Sequence, residues 1–141
     1  MTPSTAFEPV SLSPVLICPD PAEAAGFYRE ALGFVTVFEN EWYISLRLGR
    51  FELALLQAGH ASLPPGRRSP VRGMLLNLEF ADVRPVHDAL LARGLEPFLP
   101  LRDEPWGQRH CVFEAPDGVL VDLIQPIEPS PEFAAAYRHD D

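Results

Sequence analysis

Apolar and polar positions alternate in a pattern that occurs twice along the chain. Residues 13–19 (SPVLICP) form a short apolar, partly β-branched run and predict a strand. The next residues carry helix-start signals. Asp20 is placed to accept from first-turn amides, Pro21 suits the first helical position, and Glu23 would complete a capping box. The helix predicted over residues 21–32 ends at Gly33, a residue suited to a left-handed helix terminus. Three strand-like runs follow, FVTVFE, WYISLRLG and FELALLQ. The unit is β-α-β-β-β.

The second half repeats this order. GMLLNLEFAD predicts a strand, VRPVHDALLARG a helix, and LEPFLPL, QRHCVFEA and GVLVDLIQ three further strands. Asp20 and Asp82 are 62 positions apart (82 − 20), and Gly33 and Gly94 are 61 apart (94 − 33). Gly49 and Gly118 are 69 apart (118 − 49), which places extra residues in the later part of the second unit and assigns them to EPWGQRH (104–110). The predicted organisation is one domain, with modules over 12–58 and 73–126. A Pro/Gly/Arg-rich linker covers 59–72, a loose arm 1–11, and a C-terminal tail 127–141 that ends in a fraying YRHDD. A lone βαβββ module leaves one sheet face bare. Two of them side by side predict an α+β fold, a curved eight-stranded sheet with outer helices whose concave face can take a small molecule.

Composition narrows the partners. The chain has 141 residues, 47% hydrophobic and 22% charged, which suits a packed single domain. Its net charge of −9 argues against nucleic acid, which needs a basic face. All eleven basic residues are arginine. Cys18 and Cys111 lack a CxxC spacing and sit in apolar runs, as expected for reduced, buried thiols. No apolar run approaches the roughly 18 residues of a membrane span, and no targeting signal is evident. The expected location is the cytoplasm.

Three stretches carry a family resemblance: Asp20-Pro21 with Phe27-Tyr28 and Leu32-Gly33-Phe34, then PWGQR (105–109), then PDGVLVDLIQP (116–126). Together they resemble the vicinal oxygen chelate superfamily of glyoxalases, extradiol dioxygenases and bleomycin-type resistance proteins. The resemblance implies four metal-ligand positions, two per module, usually His, Glu or Gln. Counting from the capping aspartates and the turn glycines, they fall on Ser13, Leu53, Leu75 and Asp122. Two leucines and a serine do not make a divalent-metal site, so no metal and no cofactor is expected. By strand alternation Glu52 should point to the face opposite Leu53. The histidines His60, His87, His110 and His139 show no ligand spacing.

The remaining candidates suit a ligand pocket. Alternation groups Ser13, Val15 and Ile17, then Leu53 and Leu55, then Leu75, Asn77 and Glu79, then Leu120, Asp122 and Ile124. Asn77, Glu79 and Asp122 are the polar handles, although Glu79 could be solvated and Asp122 could instead be bonded to backbone or to Arg109. Trp106, in a loop, is a candidate ligand wall or lid. Trp42 is a candidate stacking group or a core residue. Arg109 is expected in an ion pair with Asp122 or Glu114, or on a ligand anion, and His110 could serve as acid or base. The expected function is metal-free binding of a planar, partly apolar molecule by a homodimer of the resistance type. The alternative is a lyase, isomerase or dioxygenase acting on a small metabolite.

Overall fold

The computed structural model describes residues 7–138, so His139 and most of the predicted N-terminal arm lie outside the described residues. The first module contains β1 (Val15–Cys18), α1 (Pro21–Leu32), β2 (Val35–Glu39), β3 (Tyr43–Leu48) and β4 (Phe51–Gln57). The second contains β5 (Leu75–Glu79), α2 (Arg84–Ala92), β6 (Leu99–Glu104), β7 (Gln108–Glu114) and β8 (Leu120–Pro126). The βαβββ order is the one the sequence predicts. The eight strands form two hydrogen-bonded sheets of four, ordered β1-β4-β3-β2 and β5-β8-β7-β6. In each sheet the first strand runs parallel to the last.

Helix α1 starts where the sequence signals place it. The Asp20 carboxylate accepts from the Ala22 and Glu23 amides at 3.1 and 3.2 Å. Asp20 caps the helix without the expected capping box, because no reciprocal bond from Glu23 forms among the described residues. The helix ends at Gly33, whose φ of 84° lets its amide turn back onto the Tyr28 and Arg29 carbonyls.

Register decides which face of each sheet is buried. Leu16 pairs with Leu55, and Leu46 with Leu53. In the second sheet Leu76 pairs with Val121, and Cys111 with Leu123. These residues pack with Ala24, Ala25 and Tyr28 of α1 and Leu90 of α2 in one core that spans both modules. Burial pushes the Cys18 thiol up to about 12 and the Cys111 thiol up to about 11, so neither is a nucleophile near neutral pH. The Tyr28 hydroxyl crosses between modules and donates to Asp117 at 3.2 Å. Burial raises the proton affinity of both partners.

Three expectations change. The segment EPWGQRH is not an insertion. Glu104 ends β6, Gln108 starts β7, and only residues 105–107 form the turn. The extra length lies elsewhere. Residues 93–98 join α2 to β6 where 33–34 join α1 to β2, and residues 115–119 join β7 to β8 where 49–50 join β3 to β4. Strand β6 consequently starts at Leu99, later than the predicted 95–101. The tail is also folded. Ile127 and Ser130 donate backbone hydrogen bonds to the Gly107 and Pro105 carbonyls, and a short helix, α3 (Pro131–Ala134), follows. Tyr137, in the stretch expected to fray, donates through its hydroxyl to the Trp106 carbonyl.

The linker is not a loose tether. Gly59 bonds to Arg68, Val71 bonds to Ile17 of β1, and His60 stacks on Trp42 with ring centroids 3.9 Å apart. None of the described helices is long and apolar enough to cross a membrane.

The Asp20 cap provides a direct test of how local signals contribute to stability. Asp20→Ala should lower unfolding free energy by about 1 kcal/mol, measured by urea denaturation, while leaving the fold unchanged by circular dichroism.

Candidate functional site

The faces away from the helices hold the candidate chemistry, and they are partly buried, with Ala54, Leu56, Val112 and Ile124 covered and Val15 and Leu75 half exposed. On the second sheet, Asn77 is in register with Asp122 on β8, and Leu75 with Leu120. Asp122 faces Val112 on β7, while His110 faces Ile124 on one side and Arg102 on the other. The predicted grouping of Leu75, Asn77 and Glu79 with Leu120, Asp122 and Ile124 is therefore what the register produces.

At the centre of this face is a carboxylate–imidazole–carboxylate chain. His110, 6% exposed, lies between Asp122, 5% exposed, and Glu104. Its Nδ1 is 2.8 Å from Asp122 Oδ1, and its Nε2 is 2.8 Å from Glu104 Oε2. Glu104 Oε2 also accepts from Arg102 Nε at 2.7 Å. With both carboxylates ionised, both contacts are hydrogen bonds at once only when both ring nitrogens carry protons, as in an imidazolium. Burial alone would lower the affinity of His110 for its second proton. The hydrogen bonds and charges of Glu104 and Asp122 outweigh burial, and the ring is held above its ordinary 6.5. The hydrogen bond from His110, helped by Arg102, holds Glu104 below its ordinary 4.5.

The other candidates are arranged around this chain or away from it. Trp106 meets His110 edge-on at 6.3 Å between ring centroids, and meets Phe133 of the tail at 6.2 Å. Its indole N–H donates to Gln108 at 2.8 Å. Trp106 therefore covers the charged cluster and is itself held by the tail. Gly107 makes this clamp possible: its φ is 109°, and a Cβ there would come within 3.0 Å of the Ile127 carbonyl.

Arg109 points away from the open face, as the neighbour of His110 along a strand must. Its ion pair is not with Asp122 or Glu114 but with Asp103, its cross-strand partner, through two hydrogen bonds of 2.7 and 3.0 Å. Trp42 belongs to the linker contact with His60 and is not brought to this cluster.

The implied ligand quartet also needs correcting. Leu53 is in register with Leu46 and lies in the core beneath α1. Glu52 and Ala54 share the open face with Val15, because Val15 pairs with Ala54. Counting from the turn glycine reaches the third residue of β4 and the third residue of β8 alike, but the two strands enter their sheets in opposite phase, so Leu53 faces the core and Asp122 the other side. Ser13 precedes β1 and is exposed, and Leu75 is 48% exposed. Sequence reading missed Glu104 entirely. The available signal was the three-residue turn, which brings Glu104 onto the same side as Gln108 and His110.

Between the modules lies an open cleft of about 680 Å³. Its walls are the segment before β1 (Leu12, Pro14), the β3–β4 turn (residues 48–53) and β5 from Leu76 to Phe80. Asn77 and Glu79 reach it from β5, and Glu52 from β4.

The sequence profile described as the Glyoxalase/Bleomycin resistance protein/Dioxygenase superfamily matches residues 11–123. The chain belongs to this superfamily. Solved structures agree on the fold. A glyoxalase/bleomycin resistance protein/dioxygenase from Nocardioides superposes with a TM-score of 0.73 at 23% identity, covering 90% of each chain. A lactoylglutathione lyase from Agrobacterium tumefaciens gives 0.69 at 19% identity, covering 84% of this chain and 96% of that one. A bleomycin-binding protein in complex with bleomycin gives 0.62 at 25% identity, covering 82% and 97%. A comparison with curated proteins finds no match.

A metal of the kind the superfamily implies does not fit the residues of this member. Leu53 faces the core, its open-face neighbour Ala54 and Leu75 offer no donor atom, and Asp122 is bonded to His110. No three His, Cys, Asp or Glu side chains among the described residues are grouped so as to hold an ion.

The charged chain has a testable pH signature. His110 has a folded-state value above 6.5, so the stability it adds is complete below that pH and is lost as pH rises through the folded value. Glu104 has a folded-state value below 4.5, so its contribution is present above that pH and lost as pH falls. The stability difference between wild type and His110→Gln should therefore be largest at about pH 4.5–6.5, measured by urea melts across pH. In a ¹H–¹⁵N titration, His110 should titrate above 6.5, and Asp122→Asn should bring the midpoint down.

Proposed function

We propose that this protein binds a small, partly apolar organic molecule in the cleft between its modules and holds it without chemical change, in the manner of a sequestering resistance protein. The observation that carries this reading is the cleft itself. It has the size of a small-ligand site, mainly apolar walls, and a few convergent polar side chains, Asn77, Glu79 and Glu52. The similarity to a bleomycin-binding protein, at 25% identity over most of both chains, supports the same reading.

The expected site is shifted in one respect. Asn77 belongs to the cleft, and Asp122 adjoins Asn77 in register, whereas Trp106, Arg109 and Trp42 have other partners. The competing enzyme reading would have to use Glu52 or Glu79 as the acid–base group of the cleft, because both ring nitrogens of His110 are engaged. We place the protein in the cytoplasm as a homodimer.

Calorimetry against bleomycin, S-lactoylglutathione and a panel of aromatic antibiotics tests the proposal. At least one compound should bind saturably and be recovered intact by mass spectrometry. Asn77→Trp, a bulky change at an exposed position, should fill the cleft and weaken binding at least about tenfold without lowering the melting temperature. Consumption of a bound compound would transfer the case to the enzyme reading.

A further inference from the structure

We infer that residues 127–138 form a releasable strap, and that its release uncovers the Glu104–His110–Asp122 chain while both modules stay folded.

The strap leaves the end of β8 and turns back over the β6–β7 end of the second sheet. Every hydrogen bond that it makes to the rest of the described chain ends on the three-residue turn 105–107. The carbonyls of that turn are taken in succession. Pro105 accepts from the Ser130 amide at 2.8 Å, Trp106 from the Tyr137 hydroxyl, and Gly107 from the Ile127 amide at 2.9 Å. Phe133 adds an edge-on ring contact with Trp106. None of the strap residues is buried, and Pro131, Glu132 and residues 134–138 are exposed. A segment with so few contacts and so little covered apolar surface opens at far lower cost than the core unfolds.

What the strap holds is the support of His110. The turn starts one residue after Glu104, whose carboxylate occupies His110 Nε2. Trp106, in the middle of the turn, lies edge-on against the same imidazole. The grip on the three carbonyls therefore keeps the indole over the ring and Glu104 beside it. With the strap lifted, the turn keeps the backbone bond from Gly107 to Glu104 and the indole bond to Gln108. The indole can then swing outward, and Glu104, whose other partner Arg102 is exposed, can turn to solvent. Asp122 stays in place, because β8 is paired on both sides, with β5 and with β7. His110 then keeps one carboxylate on Nδ1 and presents Nε2 to solvent, the arrangement of an acid–base residue. The closed strap is thus an intramolecular block on this imidazole.

Two substitutions in the full-length chain test this. Tyr137→Phe removes one strap hydrogen bond, Phe133→Ala removes the ring contact, and neither side chain belongs to the core. Amide hydrogen exchange follows the strap through Ile127 and Ser130, and the core through Leu55 and Leu123. Labelling with diethyl pyrocarbonate, which acylates an accessible imidazole nitrogen, follows His110 against the part-exposed His60 and His87. In wild type, His110 should label at least about tenfold more slowly than His60. Each substitution should raise exchange at Ile127 and Ser130 and labelling of His110 together, by about fivefold, with exchange at Leu55 and Leu123 unchanged. Faster strap exchange with His110 labelled at the wild-type rate would overturn the inference, because the strap would then cover nothing. Strap exchange indifferent to both substitutions would overturn it as well. So would His110 labelling that rises only where Leu55 and Leu123 also exchange faster, since that is unfolding of the sheets.

Discussion

A four-stranded sheet has two faces, and each module of this protein supplies one long helix. That shortage governs the rest of the architecture. The helix buries one face of its sheet, where Leu16, Leu55, Val121 and Leu123 are sealed with Tyr28 and Leu90 into a single core. The other face has no helix. Val15 and Leu75 remain almost half exposed on it, a condition that a folded protein tolerates on a surface with a use. The Tyr28–Asp117 hydrogen bond ties the covered sides of the two modules together, and residues of both faces, Leu53 and Leu76 as well as Glu52 and Asn77, border the cleft between them.

The second module compensates for its bare face in a different way from the first. It covers the β6–β7 end with Trp106 and the folded tail, and it fills the space beneath with the Glu104–His110–Asp122 chain. A buried cluster of this kind is stable only when every charge has a counterpart. Here two carboxylates enclose one imidazolium, and Arg102 balances the outer one at the surface. The arrangement fixes the orientation of Asp122 and engages both ring nitrogens of His110.

Much of this was legible in the residues. The helix cap at Asp20, the terminus at Gly33, the duplicated βαβββ order and the shared face of Asn77 and Asp122 all follow from local rules of period and turn chemistry. What escaped depended on loop length and on contacts distant in sequence. The count from Gly49 puts Leu53 on the open face only if β4 and β8 enter their sheets in the same phase, and they do not. Arg109 was given the wrong acidic partner because its true one, Asp103, lies across a hairpin whose register is set by three turn residues. Glu104 carried no motif at all. Its role appears only when β6 and β7 are laid side by side. The folding of residues 127–138 onto Gly107 is likewise a tertiary event that a polar, proline-rich tail does not announce.

The two modules meet their cleft through different elements. The first reaches it with the two-residue turn after β3, the second with strand β5 and not with its five-residue loop after β7. One wall presents Arg50 and Phe51, the other Asn77 and Glu79. The two walls of the cleft therefore differ in chemistry, one basic and aromatic, the other an amide and a carboxylate.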